Sequence, residues 1–80
     1  MNLKRAPRRR AARLELLDVL MDSYLRWRDE SRAVAESYRN WRSAPRRCRD
    51  VAFDEYLAAL DREERAACGY RRAVEQTQGV

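Results

Sequence analysis

The 80-residue chain contains no histidine, a single lysine, two glycines, two prolines and two cysteines. Without histidine it lacks the side chain that most often moves protons near neutral pH, and with it the Ser/His/Asp and Cys/His nucleophile sets and the Glu-x-x-His pairs of di-iron bundles. Two glycines cannot build a glycine-rich phosphate loop. So few glycines and prolines also exclude a strand-rich fold, which needs a reversal about every 8 to 12 residues. No stretch approaches the ~20 apolar residues of a membrane span, and the run Leu14–Met21 is interrupted by Glu15 and Asp18, which removes it as a signal-peptide core. Cys48 and Cys68 are 20 residues apart, which on one continuous helix is about 30 Å at 1.5 Å per residue, so they are expected as free, buried thiols in a reducing, cytoplasmic setting. With no His and no Cys-x-x-Cys spacing, neither a metal nor a cofactor is expected.

What remains is an all-α composition, 45% hydrophobic and 39% charged, enough to fold but with a thin core for a chain this short. The net charge of +5 is unevenly placed. Residues 1–13 hold Lys4, Arg5, Arg8, Arg9, Arg10 and Arg13 and no acid, while residues 14–80 carry twelve basic and thirteen acidic residues, a balance of −1. The basic character therefore belongs to a flexible tail over residues 1–13, and the folded body over 14–77 is neutral.

Within that body Leu17, Leu20, Tyr24, Trp27, Ser31, Val34, Tyr38 and Trp41 recur at steps of three and four, with neither Gly nor Pro between Arg8 and Arg42. The spacing predicts a first helix over about 8–42. Ser43 and Asp50 are candidate caps, and Pro45 suits a first helical turn, so a turn is expected over about 43–49. A second helix is expected over about 50–77, with Phe53, Tyr56, Leu60, Glu63, Ala67, Tyr70 and Val74 at the same period. Two long helices joined by a short turn run antiparallel in a coiled-coil-like hairpin, and a turn centred near residue 44 makes facing residue numbers sum to about 88. In that register Glu63 lies in the seam, opposite the region of Leu25 and Trp27, and calls for an arginine, Arg26 or Arg28. Gly69, costly inside a helix, is expected to make room for Leu20 or Tyr24.

All seven aromatic residues, Tyr24, Trp27, Tyr38, Trp41, Phe53, Tyr56 and Tyr70, fall within this two-helix body. Two helices cannot enclose so wide a stripe, and Trp and Tyr are the residues that most often dominate binding at interfaces. The expected role is a non-enzymatic protein-interaction module whose contact residues are Tyr24, Trp27, Val34, Tyr38, Trp41, Phe53, Tyr56, Leu60 and Tyr70. A homodimer closing a four-helix bundle, or another protein's helices, would cover them. A nucleic-acid accessory role is the alternative, carried by Arg5, Arg8, Arg9, Arg10 and Arg13 with Arg46, Arg47 and Arg49 at the hairpin tip. The acids Asp54, Glu55, Asp61, Glu63 and Glu64 spread around the second helix and offer no converging pair for catalysis, and no small-molecule substrate is expected.

The stretch Tyr38-Arg39-Asn40-Trp41-Arg42-Ser43 and the later Tyr56-Leu57-Ala58-Ala59-Leu60-Asp61-Arg62-Glu63-Glu64-Arg65-Ala66-Ala67 resemble small uncharacterised helical proteins of high-GC Gram-positive bacteria. The use of 17 arginines against one lysine agrees with such a coding bias. Trp41-Arg42-Ser43 at the turn also resembles the Trp-x-Gly turn of WXG100-type helical hairpins, a likeness that implies a secreted effector. Ser43 replaces the glycine, and Tyr70 is followed by Glu75 one residue beyond the Tyr-x-x-x-Asp/Glu spacing of that secretion signature.

Overall fold

The computed structural model describes the backbone of residues 5–79 and the side chains of residues 10–79. Two helices, α1 (Arg5–Ser43) and α2 (Arg49–Gln78), pack against each other as an antiparallel hairpin, joined through a short 3-10 turn at Arg46–Cys48. α1 starts three residues before the expected position. Ser43 closes α1 instead of opening α2: its hydroxyl donates to the Arg39 carbonyl oxygen at 2.9 Å, the back-bonding that serine makes on a last helical turn. Pro45, extended at φ −58° and ψ 154°, stops the helix, and the Cys48 N–H donates to its carbonyl at 2.8 Å to wind the 3-10 turn. Asp50 lies in the first turn of α2, where its charge complements the helix dipole.

Because this connection runs through Cys48, its centre lies beyond residue 44, and the register moves with it. Tyr38 meets Tyr56, Tyr24 meets Tyr70 and Trp41 meets Phe53, each pair of numbers summing to 94. Gln78 thus lies level with residue 16, and the first 11 residues of α1 extend past the end of α2. The molecule is a rod of 71 × 14 × 13 Å.

The seam follows a strict heptad, but one turned from the expected stripe. On α2 it uses Ala52, Ala59, Ala66 and Ala73 with Tyr56, Glu63, Tyr70 and Thr77; on α1 it uses Leu16, Ser23, Glu30 and Ser37 with Leu20, Trp27, Val34 and Trp41. Among the described residues Ala59, Ala66 and Ala73, at 0%, 8% and 3% exposure, are the buried hydrophobic ones. The expected positions Leu17, Tyr24, Tyr38, Phe53 and Leu60 are instead exposed. The reason is steric: alanine every seventh residue lets the two axes approach closely, and the bulky side chains one position later swing out to one side.

Two further expectations change for the same reason. Cys48 and Cys68 are both exposed, not buried, because each points away from the seam. Gly69 neither ends α2 nor accommodates a large neighbour, since a Cβ there would meet nothing within 4 Å. Gly69→Ala is therefore expected to stabilise the chain by about 1 kcal/mol, raising Tm by several degrees in a thermal melt followed by circular dichroism. An unchanged or lowered Tm would mean that this face is not open.

Candidate protein-interaction face

Antiparallel packing of two right-handed helices brings the position after each seam residue to the same side of the hairpin on both helices. One broad side therefore carries Leu17, Tyr24, Ser31 and Tyr38 of α1 beside Phe53, Leu60, Ala67 and Val74 of α2. The opposite side is mostly polar, with Val19 exposed among its charged and small residues. There Arg62 donates to Glu30 across the helices at 3.2 Å, and Ser23, Arg26, Gly69 and Arg65 border the same shallow hollow.

The aromatic side chains gather in two clusters. Toward the open end, Trp27 stacks on Tyr70 with planes 6° apart and centroids at 5.6 Å, and Tyr24 packs against both rings. Near the tip, Trp41 stacks on Tyr56 at 5.7 Å with planes 10° apart, flanked by Phe53 at 5.0 Å and by Tyr38. The pattern is legible in the numbering. Tyr24 and Tyr38, Trp27 and Trp41, and Tyr56 and Tyr70 are each two heptads apart, and the pairs Tyr24/Trp27 and Tyr38/Trp41 have the i, i+3 spacing of neighbours on a helix surface. Val34 and Leu60 lie between the clusters; of the nine expected interface residues, Tyr24, Tyr38, Phe53 and Leu60 are exposed on this side, while Trp27, Val34, Trp41, Tyr56 and Tyr70 are half-buried along the adjoining seam.

Glu63 sits at the edge of the first cluster. Its carboxylate accepts the Trp27 indole N–H at 2.8 Å, so its partner is a tryptophan and not Arg26 or Arg28. The bond satisfies a half-buried carboxylate and orients the Trp27 ring with one contact. Among the described residues no group of three His, Cys, Asp or Glu side chains is placed to hold a metal ion.

The surface extends beyond the nine. Met21 and Leu57 are 58% and 46% exposed on the outer margins of the same side, where sequence reading had not put Leu57 to use. Its signal was the Phe53, Leu57, Leu60 spacing of i, i+4 and i+7, the pattern of one helix face.

The arginines of the alternative reading lie at the two ends of the rod. Arg10 and Arg13 are exposed on the part of α1 that extends past α2, while Arg46, Arg47 and Arg49 are exposed at the tip. The side chains of Arg5, Arg8 and Arg9 lie outside the described residues. At the tip Arg42 lies over the Tyr38 ring, 5.8 Å from its centroid, and Arg42 and Arg49 share an open hollow with Tyr38, Trp41, Asp50 and Phe53.

No family model, curated protein or solved structure matches the chain. Nor is any helix among the described residues long and apolar enough to cross a membrane. The surface itself is the guide to function. Its accessible area is 7008 Å², against about 5000 Å² for a compact monomer of 9.5 kDa. The excess follows from the rod shape and from the part of α1 that extends past α2.

Proposed function

We propose that this chain is a non-enzymatic protein-interaction module that works by covering its aromatic side with another helical protein surface. The observation that carries this reading is the make-up of the hairpin: alanines form one column of the seam, the rings of Trp27, Trp41, Tyr56 and Tyr70 are only half-buried in the other, and Tyr24, Tyr38, Phe53 and Leu60 stand exposed beside them on one side. Tyrosine and tryptophan packed on a stiff support lose little conformational freedom on binding, which suits them as anchors. The exposed, unpaired cysteines suit a reducing compartment, and on that ground the module is assigned to the cytoplasm.

A photo-crosslinking amino acid tests the reading when placed in cells at Leu60 on the aromatic side and at Arg26 on the polar side. Protein adducts are expected at position 60 and not at position 26. Equal yields at both positions, or none at 60, would overturn it.

The second reading, a nucleic-acid accessory protein, is favoured by the hollow at the tip, where Arg42 and Arg49 lie beside three rings on which a base could stack. On that reading deletion of residues 1–13, which removes six positive charges, reduces the slope of log affinity against log salt by up to about 5. Equal binding of DNA and RNA by the full and shortened chains would exclude a role for the basic segment.

A further inference from the structure

The apolar stripe on each helix does not point at the other helix. Its centre, between the Leu20/Trp27/Val34/Trp41 row and the Leu17/Tyr24/Ser31/Tyr38 row on α1, lies about 50° from the seam, half of the 100° step between residues. The corresponding stripe on α2 is turned by the same angle toward the same side. In a square four-helix bundle the neighbouring helix lies in one direction and the bundle centre lies 45° away from it. Each helix of the hairpin is therefore oriented as a corner of such a bundle, with half of the bundle present.

The charges along the outer margins identify the other half. On α1 the margin of the aromatic side carries Met21, Arg28, Ala35 and Arg42; on α2 it carries Asp50, Leu57, Glu64 and Arg71. Arg28, Arg42, Asp50 and Glu64 form no ion pair among the described residues, whereas the polar side pairs Glu30 with Arg62 within the hairpin. A second hairpin laid face to face, with its two-fold axis along the rod, sets α1 over the partner's α2 at the same level. Arg28 then meets the partner's Glu64, Arg42 meets the partner's Asp50, and Ala35 meets the partner's Leu57. All three pairs fall within two residues of the hairpin's own register of 94. The reverse stacking, tip over open end, centres Arg28 on the partner's Arg28 and Glu64 on the partner's Glu64, placing like charges together on both margins.

We propose that the aromatic side is covered by a second copy of this chain, lying parallel with tip beside tip, to form a four-helix bundle. This rests on the reading of that side as an interaction surface. A dimer burying about 1000 Å² per chain lies at the upper end of a standard interface. The parallel arrangement also brings Arg46, Arg47 and Arg49 of both chains to one end of the assembly, a like-charge cost that falls on exposed, solvent-screened side chains and not on the margins of the interface.

The experiment uses the full chain with Cys68→Ser and a nitroxide on the exposed Cys48 at the tip. Light scattering is expected to give the mass of two chains. Electron-electron distance measurement is expected to place the two labels within about 30 Å, the scale of helices packed 8–10 Å apart. Leu60→Arg, at a half-exposed position in the centre of the side, is expected to raise the dimer Kd more than tenfold while the helical circular dichroism is kept. A dimer with labels about 45 Å apart, the length of a 30-residue helix, would overturn the parallel orientation. An unchanged Kd in Leu60→Arg would overturn the use of this side by a second copy. A chain of single mass would overturn the second copy while leaving the interaction reading standing if crosslinks at position 60 persist, and both fail if those crosslinks are absent.

Discussion

Leucine in place of Ala59 is expected to destabilise the hairpin by about 2 kcal/mol, within the 1–3 kcal/mol typical of overpacked cores. Ala59 is 0% exposed and lies in an alanine column whose neighbours, Ala66 and Ala73, are almost as closely covered. The three added carbons have no space at this contact. They can be housed only by pushing the helices apart, which would loosen the alanine contacts above and below and separate the stacked rings. For 80 residues total stability is of the order of 4–12 kcal/mol, so the loss is a large fraction of it. The control is Ala58→Leu one residue earlier, which is exposed and expected to change stability by less than about 0.5 kcal/mol. Urea titration followed by circular dichroism, at one fixed protein concentration, separates the two. Similar midpoints for Ala58→Leu and Ala59→Leu would contradict the alanine seam.

Trp41→Ala is expected to have an effect of similar size, about 2–3 kcal/mol, below the 3–5 kcal/mol of a fully buried tryptophan because Trp41 is half-exposed. Trp41 touches Tyr38, Tyr56 and Phe53 and ties the end of α1 to the beginning of α2 near the turn. Each ring pair adds about 0.5–1.5 kcal/mol beyond the area it covers. The substitution should therefore lower the urea midpoint and also weaken any assembly through the aromatic side. Trp41→Phe, which keeps a ring at the centre of the cluster, should recover more than half of the loss. If Trp41→Ala had the stability of the parent chain, the tip cluster would not be holding the hairpin together.

The two substitutions probe different layers of the molecule, and they were unequally legible beforehand. The helices themselves follow from the absence of glycine and proline between Arg8 and Arg42 and from apolar residues at steps of three and four. The nine residues were identifiable from the same periodicity, because a stripe of large apolar side chains marks the most hydrophobic face of a helix. The face the two helices share overlaps that stripe only in part: Trp27, Val34, Trp41, Tyr56 and Tyr70 lie in the seam, and Tyr24, Tyr38, Phe53 and Leu60 lie beside it. Ala52, Ala59, Ala66 and Ala73 form a perfect heptad column, yet alanine is a weak hydrophobic signal, and beside Phe53 and Leu60 it is easily read as helix filler. The partner of Glu63 was missed for another reason: the expected register already set Trp27 across the seam, but a half-buried carboxylate reads as calling for a guanidinium, although an indole N–H is also a donor for it.

The sequence by itself determined that the chain is helical, that it reverses once, that its charge surplus lies before residue 14 and that its rings repeat at heptad spacing. These are properties of neighbouring residues, set by propensity, turn chemistry and the 3.6-residue period. The tertiary structure decided the register, the rotation of each helix and the division into a polar and an aromatic side. Those depend on how far the turn extends past Ser43 and on which side chains are small enough to lie between two axes. Close approach along the alanines and ring stacking beside them are satisfied together only when each helix turns about 50° from its most apolar direction. That rotation leaves Leu17, Tyr24, Tyr38, Phe53 and Leu60 exposed on one side and the seam rings half-covered.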